Sequence, residues 1–258
     1  MSLAASPSFA ESRGSDFTAT LCDHFIATVE RAQVDRDPFC HAFFENIFPA
    51  ALYPVLLRNL PPMELYGPLN IKKWVRPDGT STRDLFYLTP ENLAKLTKEQ
   101  GDLWRAVLSA LTDGPFKRAV FAQLARDLAE RFDITEDRVP DLPFVYDLSL
   151  VRDTEDYRIK PHPDGLNNLV TMQFYMPPDE SQMDLGTSVY RAHKRLIGNS
   201  FEEVKRFPFK PNSAYAFAVS DSPARTSWHG RETLTGFSGV RNTMILSFRQ
   251  ASPRKYEA

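Results

Sequence analysis

After Pro140 the chain changes character, and this change limits the possible folds more than any other feature. Six short runs rich in β-branched and aromatic residues follow one another: FVYDLSLVR, NLVTMQFYM, GTSVYRA, VKRFPF, SAYAFAVS and NTMILSFR. They are separated by Pro, Gly, Asp and Asn. This is the pattern of a β-sandwich or jelly roll, in which each strand supplies one inward face. Upstream the periodicity is helical. Phe17, Leu21, Phe25 and Val29 recur every four positions and predict a helix over 16 to about 33. The segment DPFCHAFFENIFP places β-favouring aromatics between two prolines. It leads into an apolar helix over about 50–60 that Pro61 and Pro62 stop. Residues 63–90, rich in Pro, Gly and Thr, read as loop with short strands. Two further helices are expected, one over 90–111 with Thr89 as its cap and one over 115 to about 132, with Asp113-Gly114 as the turn between them. The expected fold class is therefore α+β, a jelly roll with helices packed on one face. A disordered tail over 1–15 would precede a mainly helical part over 16–140 and a jelly-roll core over 141–258, the last two forming one structural unit. No internal repeat or low-complexity tract is present.

Composition narrows the function classes. With 258 residues, 42% hydrophobic and 25% charged, the chain is long enough for one large domain or two small ones, and disordered or fibrous classes are set aside. The net charge of −2 supplies no global field for nucleic acid or an anionic membrane, and no basic stripe interleaved with aromatics marks a nucleic-acid surface. Residues 1–150 carry 16 basic against 21 acidic side chains and residues 151–258 carry 15 against 12, a mildly basic second half that suits an anionic ligand. Cys22 and Cys40 are too few for a disulfide framework and form no CxxC pair; they read as small buried hydrophobes of a reducing compartment. The opening MSLAASPSFAESRGS lacks the basic start and apolar stretch of a signal peptide. No apolar run approaches the roughly 20 residues that span a bilayer, so the expected location is the cytoplasm.

The chemistry concentrates in three places. In YRIKPHPDG, His162 and Asp164 lie two positions apart, and on an extended segment such residues project to the same side. A lone His-x-Asp arises often by chance. A third ligand is offered 67 residues later by His229 in SPARTSWHGRE. Two histidines and one carboxylate form the facial set of non-haem iron(II) oxygenases, which leaves three octahedral positions open; a closed four-ligand zinc site leaves none. Arg241 follows twelve residues after His229, at the head of VRNTMILSF, on a strand expected beside the one carrying His229. Arg241 and Thr243 share a face of that strand. A guanidinium inside a barrel is costly unless it meets a carboxylate, which it matches bidentately, so a dicarboxylate ligand is the simplest explanation.

Together, His162-x-Asp164, His229 and Arg241-x-Thr243 resemble the 2-oxoglutarate- and iron(II)-dependent dioxygenases, particularly their prolyl-hydroxylase-like branch. PHPDGLNNLVTMQFYMPPDESQMDLGTSVY resembles that branch's run from the metal loop through two strands to a Gly-Thr step, and DPFCHAFFENIFPAALYPVLLRNLP resembles its opening strand and helix. The specific part covers about residues 141–250. The resemblance implies a double-stranded β-helix, a cupin-like jelly roll, whose open end holds Fe(II) on His162, Asp164 and His229. It also implies 2-oxoglutarate as co-substrate, chelating through its C1 carboxylate and C2 carbonyl, with Arg241 and Thr243 on the far carboxylate. Dioxygen and a small-molecule, glycan or lipid-like substrate would complete the reaction, with succinate and carbon dioxide released. Retention of Asp164 separates the chain from the halogenases of that superfamily, which carry a small residue there.

Tyr157, Gln173 and Tyr175 are further candidates for hydrogen bonds to the co-substrate, with core or rim packing as the alternative. Arg191, His193 and Arg225 stand near the expected mouth but read as solvated surface charge, as do His24 and His41; Trp228 reads as packing. Two other functions use the same residues. A zinc-dependent hydrolase would activate water on the three ligands but leaves Arg241-x-Thr243 without a role. A non-catalytic jelly-roll binding module would have no reason to gather the His, Asp and His at all. Substrate choice would rest with the loops 63–90 and 176–195.

Overall fold

The structure, a computed structural model, describes residues 14–251 except 70, 72 and 73. The expected tail lies outside the described residues up to position 13, and helix α1 (Gly14–Arg31) already begins at its last two positions. Among the described residues twelve strands follow in chain order: β1 (Val34–Asp35), β2 (His41–Glu45), β3 (Gly67–Pro68), β4 (Arg83–Tyr87), β5 (Phe144–Asp153), β6 (Ile159–His162), β7 (Asn168–Tyr175), β8 (Ser188–Lys194), β9 (Asn199–Arg206), β10 (Ser213–Ala218), β11 (His229–Arg231) and β12 (Arg241–Gln250). They form two antiparallel sheets, one of eight strands in the order β1-β2-β10-β7-β12-β5-β4-β3 and one of four in the order β6-β11-β8-β9. Residues 16–140 therefore supply both flanks of the large sheet as well as the helices.

Each of the six expected runs overlaps a strand, although Phe207, Pro208 and Phe209 of VKRFPF lie beyond the end of β9. The helices depart from expectation at their breaks. The single helix expected over 90–111 is two, α3 (Pro90–Leu93) and α4 (Lys98–Thr112). Thr97 starts the second with a capping box, its side chain accepting from Gln100 N while the Gln100 side chain reaches back to the cap. The stretch 115–132 likewise divides into α5 (Gly114–Gln123) and α6 (Ala125–Phe132), because Leu124, at φ −105° and ψ 18°, leaves helical geometry. The helix near 50–60 is the shorter α2 (Tyr53–Arg58). No helix among the described residues is long and apolar enough to cross a membrane.

Alternation along the large sheet builds two cores. Met172 and Phe174 on β7, Ala214 and Ala216 on β10, and Met244, Leu246 and Phe248 on β12 face the helices, meeting Leu21, Phe25, Trp104, Phe121 and Leu128 in one cluster. The residues between them face the small sheet, where Tyr175, Tyr215, Phe217, Val189 and Phe207 form a second, more aromatic cluster. The site lies on this second side, between the sheets.

Candidate metal centre

Two neighbouring strands of the small sheet bring the first ligands together. β11 pairs antiparallel with β6 in a register that sets His229 opposite His162. Gly230 makes this approach possible: a Cβ there would stand 2.7 Å from the carbonyl oxygen of Ile159 on β6, inside van der Waals contact. Asp164 follows two residues beyond the end of β6 and turns its carboxylate toward both rings. Its Oδ1 lies 4.0 Å from His162 Nε2 and 3.7 Å from His229 Nε2. One ligand atom from each of the three side chains lies within 4.8 Å of the others, and the imidazole rings stand 4.4 Å apart.

Hydrogen bonds hold these side chains in a ligating state. His162 Nδ1 contacts the Lys160 carbonyl at 3.0 Å and His229 Nδ1 the Ser227 carbonyl at 2.9 Å. A carbonyl only accepts, so each Nδ1 carries the proton and, in the neutral ring, Nε2 is left to present a lone pair, the arrangement that orients metal-bound histidine. Asp164 Oδ2 accepts from Thr171 Oγ1 in a short contact and from Asn168 Nδ2 at 3.3 Å, which leaves Oδ1 aimed at the rings. Two neutral nitrogens and one carboxylate oxygen fit a divalent transition ion, and bonds of about 2.1 Å would require the set to close by roughly 1 Å.

The three ligands border a cavity of about 180 Å³ whose other walls include Arg83, Tyr157, Gln173, Tyr215, Arg231 and Arg241. The metal end is the more open, with the His162 side chain 31% exposed, whereas Arg241 is 1% exposed. Arg241 departs from expectation in two respects. Its strand β12 lies between β5 and β7 in the large sheet, across the cavity from β11 rather than beside it. It is also already paired: Nη1 donates to Asp153 Oδ2 at 2.8 Å and Nε to the Leu185 carbonyl at 2.7 Å. Asp153 stands opposite Arg241 in the β5–β12 register and is fully buried, so it compensates the guanidinium that the sequence alone left unpaired. Only Nη2 of Arg241 is buried without a partner among the described residues.

Asp153 serves a second arginine. Arg83, on β4, approaches its Oδ1 at 3.2 Å and also donates to the Tyr157 hydroxyl. Burial, the largest single influence, would lower the affinity of Arg83 for its proton, but the charge of Asp153 together with the nearby Tyr157, Tyr215 and Tyr87 phenols outweighs it and holds the guanidinium above its ordinary range. Burial pushes the phenols of Tyr157, Tyr175 and Tyr215 upward, so all three stay neutral near pH 7.

The remaining expected residues divide. Tyr157 and Gln173 line the cavity, the latter accepting from Thr187 Oγ1 at 3.0 Å. Tyr175 and Thr243 are buried but do not line it: the Tyr175 hydroxyl accepts from Thr187 N, and Thr243 Oγ1 is buried without a partner among the described residues. Arg191 pairs with Asp37, His193 with Glu202, and Arg225 with Asp127 and Glu130, away from the cavity lining. His24 is half-buried and bonds the Asn46 carbonyl, and Trp228 packs on Phe201. His41, expected at the surface, is buried: it lies between the Phe39 and Phe207 rings, with Nδ1 donating to the Phe39 carbonyl. Sequence inspection passed over Arg83, Asp153, Arg231, Thr171 and Asn168. Of these only Arg231 carried a signal, standing two residues after His229 on the same strand.

Among solved structures, the chain is similar to a prolyl hydroxylase from Trichoplax adhaerens bound to a hypoxia inducible factor peptide fragment, with 8% identity, 93% of this chain and 94% of that chain covered, and a TM-score of 0.52. The fold is that of this prolyl hydroxylase. A prolyl-4-hydroxylase from Pseudomonas putida (12% identity, 91% and 100% covered, TM-score 0.49) and a dioxygenase for auxin oxidation from Arabidopsis thaliana in complex with 2-oxoglutarate (11% identity, 95% and 91% covered, TM-score 0.49) are also similar. No family model matches the chain, and no curated protein does.

Proposed function

We propose that this protein is a 2-oxoglutarate-dependent iron(II) dioxygenase on a double-stranded β-helix, the two sheets forming the two sides of the roll. The observation that carries the proposal is the convergence of His162, Asp164 and His229, with ligand atoms within 4.8 Å of one another, on a cavity whose far wall bears guanidinium groups. His162 and His229 would present Nε2, and Asp164 Oδ1, to the ion, leaving the cavity side open to co-substrate and dioxygen. Bound iron(II) supplies the redox chemistry that couples decarboxylation of a keto acid to oxidation of a substrate C–H bond. The chain's own contribution is placement. Thr171 and Asn168 fix the carboxylate, backbone carbonyls fix the imidazoles, and the arginine end takes the acid's negative charge. The ring of Phe217, 4.6 Å from that of His229, and buried Tyr215 wall off water from the large-sheet side.

We further propose a small-molecule, glycan or lipid-like substrate; a peptide, as in the Trichoplax complex, is the competing class. The test is anaerobic loading with iron(II), followed by aerobic turnover of 2-oxoglutarate with panels of metabolites, glycans and peptides. Succinate formation that one panel stimulates, and that His229→Ala abolishes, is expected. Retention of zinc with no consumption of the keto acid would replace this assignment by the hydrolase.

A further inference from the structure

We propose that Arg231 is a second carboxylate-binding residue of the cavity, acting with the free Nη2 of Arg241 as a two-arginine clamp on the far carboxylate of the keto diacid. The inference rests on the function proposed above. Arg231 follows the ligand His229 by two positions on β11, so it projects from the same side of the strand and lines the same cavity. It is only 7% exposed, yet among the described residues Nε and Nη1 are buried with no hydrogen-bond partner and no carboxylate lies within 4.0 Å of it. Arg83 and Arg241, by contrast, share Asp153. A guanidinium this buried is ordinarily paired, so its unused N–H groups point to a ligand.

The geometry points to the far carboxylate through the donors that remain. Arg241 has committed Nε to Leu185 and Nη1 to Asp153 and can offer one nitrogen. A carboxylate has about four lone-pair sites, and Arg231 brings two more unused nitrogens from the opposite sheet. Arg231 and Arg241 line one cavity from opposite sheets, and two like charges facing one space repel. An anion seated between them would relieve that repulsion.

The test compares two keto acids of equal length on the manganese(II)-loaded protein, by anaerobic calorimetry: 2-oxoglutarate, and 2-oxopentanoate, which lacks the far carboxylate. Wild type should favour the diacid. Arg231→Gln should shrink that preference at least about tenfold while leaving 2-oxopentanoate affinity unchanged, which also reports an intact chelating site. Arg231→Lys, which keeps the charge but loses the planar fork, should fall between and covers the case in which the glutamine variant does not fold. Preference held within about twofold in the Arg231 variants but lost in Arg241→Gln would overturn the clamp and leave the dioxygenase standing. Wild type that binds neither acid would remove both.

Discussion

Along β7, Met172 and Phe174 turn toward the helices and are fully buried among apolar neighbours, whereas Thr171 and Gln173, alternating with them, turn toward the cavity. On β12 the contrast repeats, with Met244, Leu246 and Phe248 on the helix side and Arg241, Thr243 and Ser247 on the other. The same backbone serves both faces, but they are completed differently. On the helix face Met172, Phe174, Met244, Leu246 and Phe248 pack into one apolar cluster, and their stability follows from area removed from water. On the cavity face Arg241 Nη2, Thr243 Oγ1 and, across the gap, two nitrogens of Arg231 are buried without partners among the described residues. Stability and function thus divide across one sheet: the helix face is self-sufficient, and the cavity face is finished by what it binds.

The sharpest way to break this division is at Asp153, the one fully buried carboxylate shared by Arg83 and Arg241. Asp153→Asn keeps the shape but leaves two guanidiniums uncompensated, and should cost about 3–5 kcal/mol in urea unfolding. A loss under about 1 kcal/mol would mean that water already reaches the pair. On the opposite face, Leu246→Ala should cost about 2–5 kcal/mol through a cavity in the helix core. The two variants differ in a second readout: folded Leu246→Ala should bind manganese(II) and 2-oxoglutarate as wild type does, whereas Asp153→Asn should bind the keto acid more weakly. Equal loss of ligand affinity in both would erase the distinction between the faces.

How much could be read without coordinates follows the same line. Period-two alternation marks the strands, and it also explains why His162 and Asp164 converge, since both rules are local. Thr97-x-x-Gln100 is a visible capping signature too, and reading the helix across it lost a break that the residues announce. The compensation of Arg241 was not legible, because Asp153 lies 88 positions away and meets it only through the β5–β12 register. For the same reason Arg83, in a segment that read as loop with short strands, gave no hint that it shares that carboxylate. The His162–His229 pairing depends on a register that shifts between His229 and Arg231, and on a glycine that permits the approach; neither has a sequence motif. Arg231 falls under the i, i+2 rule that links it to His229, but its lack of a partner among the described residues, which sets it apart from a surface charge, exists only in the folded chain.

The smallest expected effect probes His41 on the cavity side of β2, whose Nδ1 is bonded but whose Nε2 is buried with no hydrogen-bond partner among the described residues. Burial, against the opposing pull of the Phe39 carbonyl and the Asp35 charge 3.6 Å away, lowers the pKa of His41 below its ordinary 6.5, so the folded protein holds it neutral. Lys205, which also pairs with Asp35, pushes in the same direction as burial. The unfolded chain therefore binds a proton at higher pH than the folded chain does. The stability that His41 contributes is complete above its unfolded value and declines as pH falls below it toward the folded one. Asp35, lowered from 3.8, titrates beneath that window and does not confuse it. Metal-free wild type should lose more of its urea midpoint between about pH 8 and about pH 5.5 than His41→Gln does, the difference amounting to about 1 kcal/mol or less. Identical pH slopes would show that His41 takes up its proton without opposition in the folded state, and that polar groups on this side of the sheet are less sealed than their burial indicates.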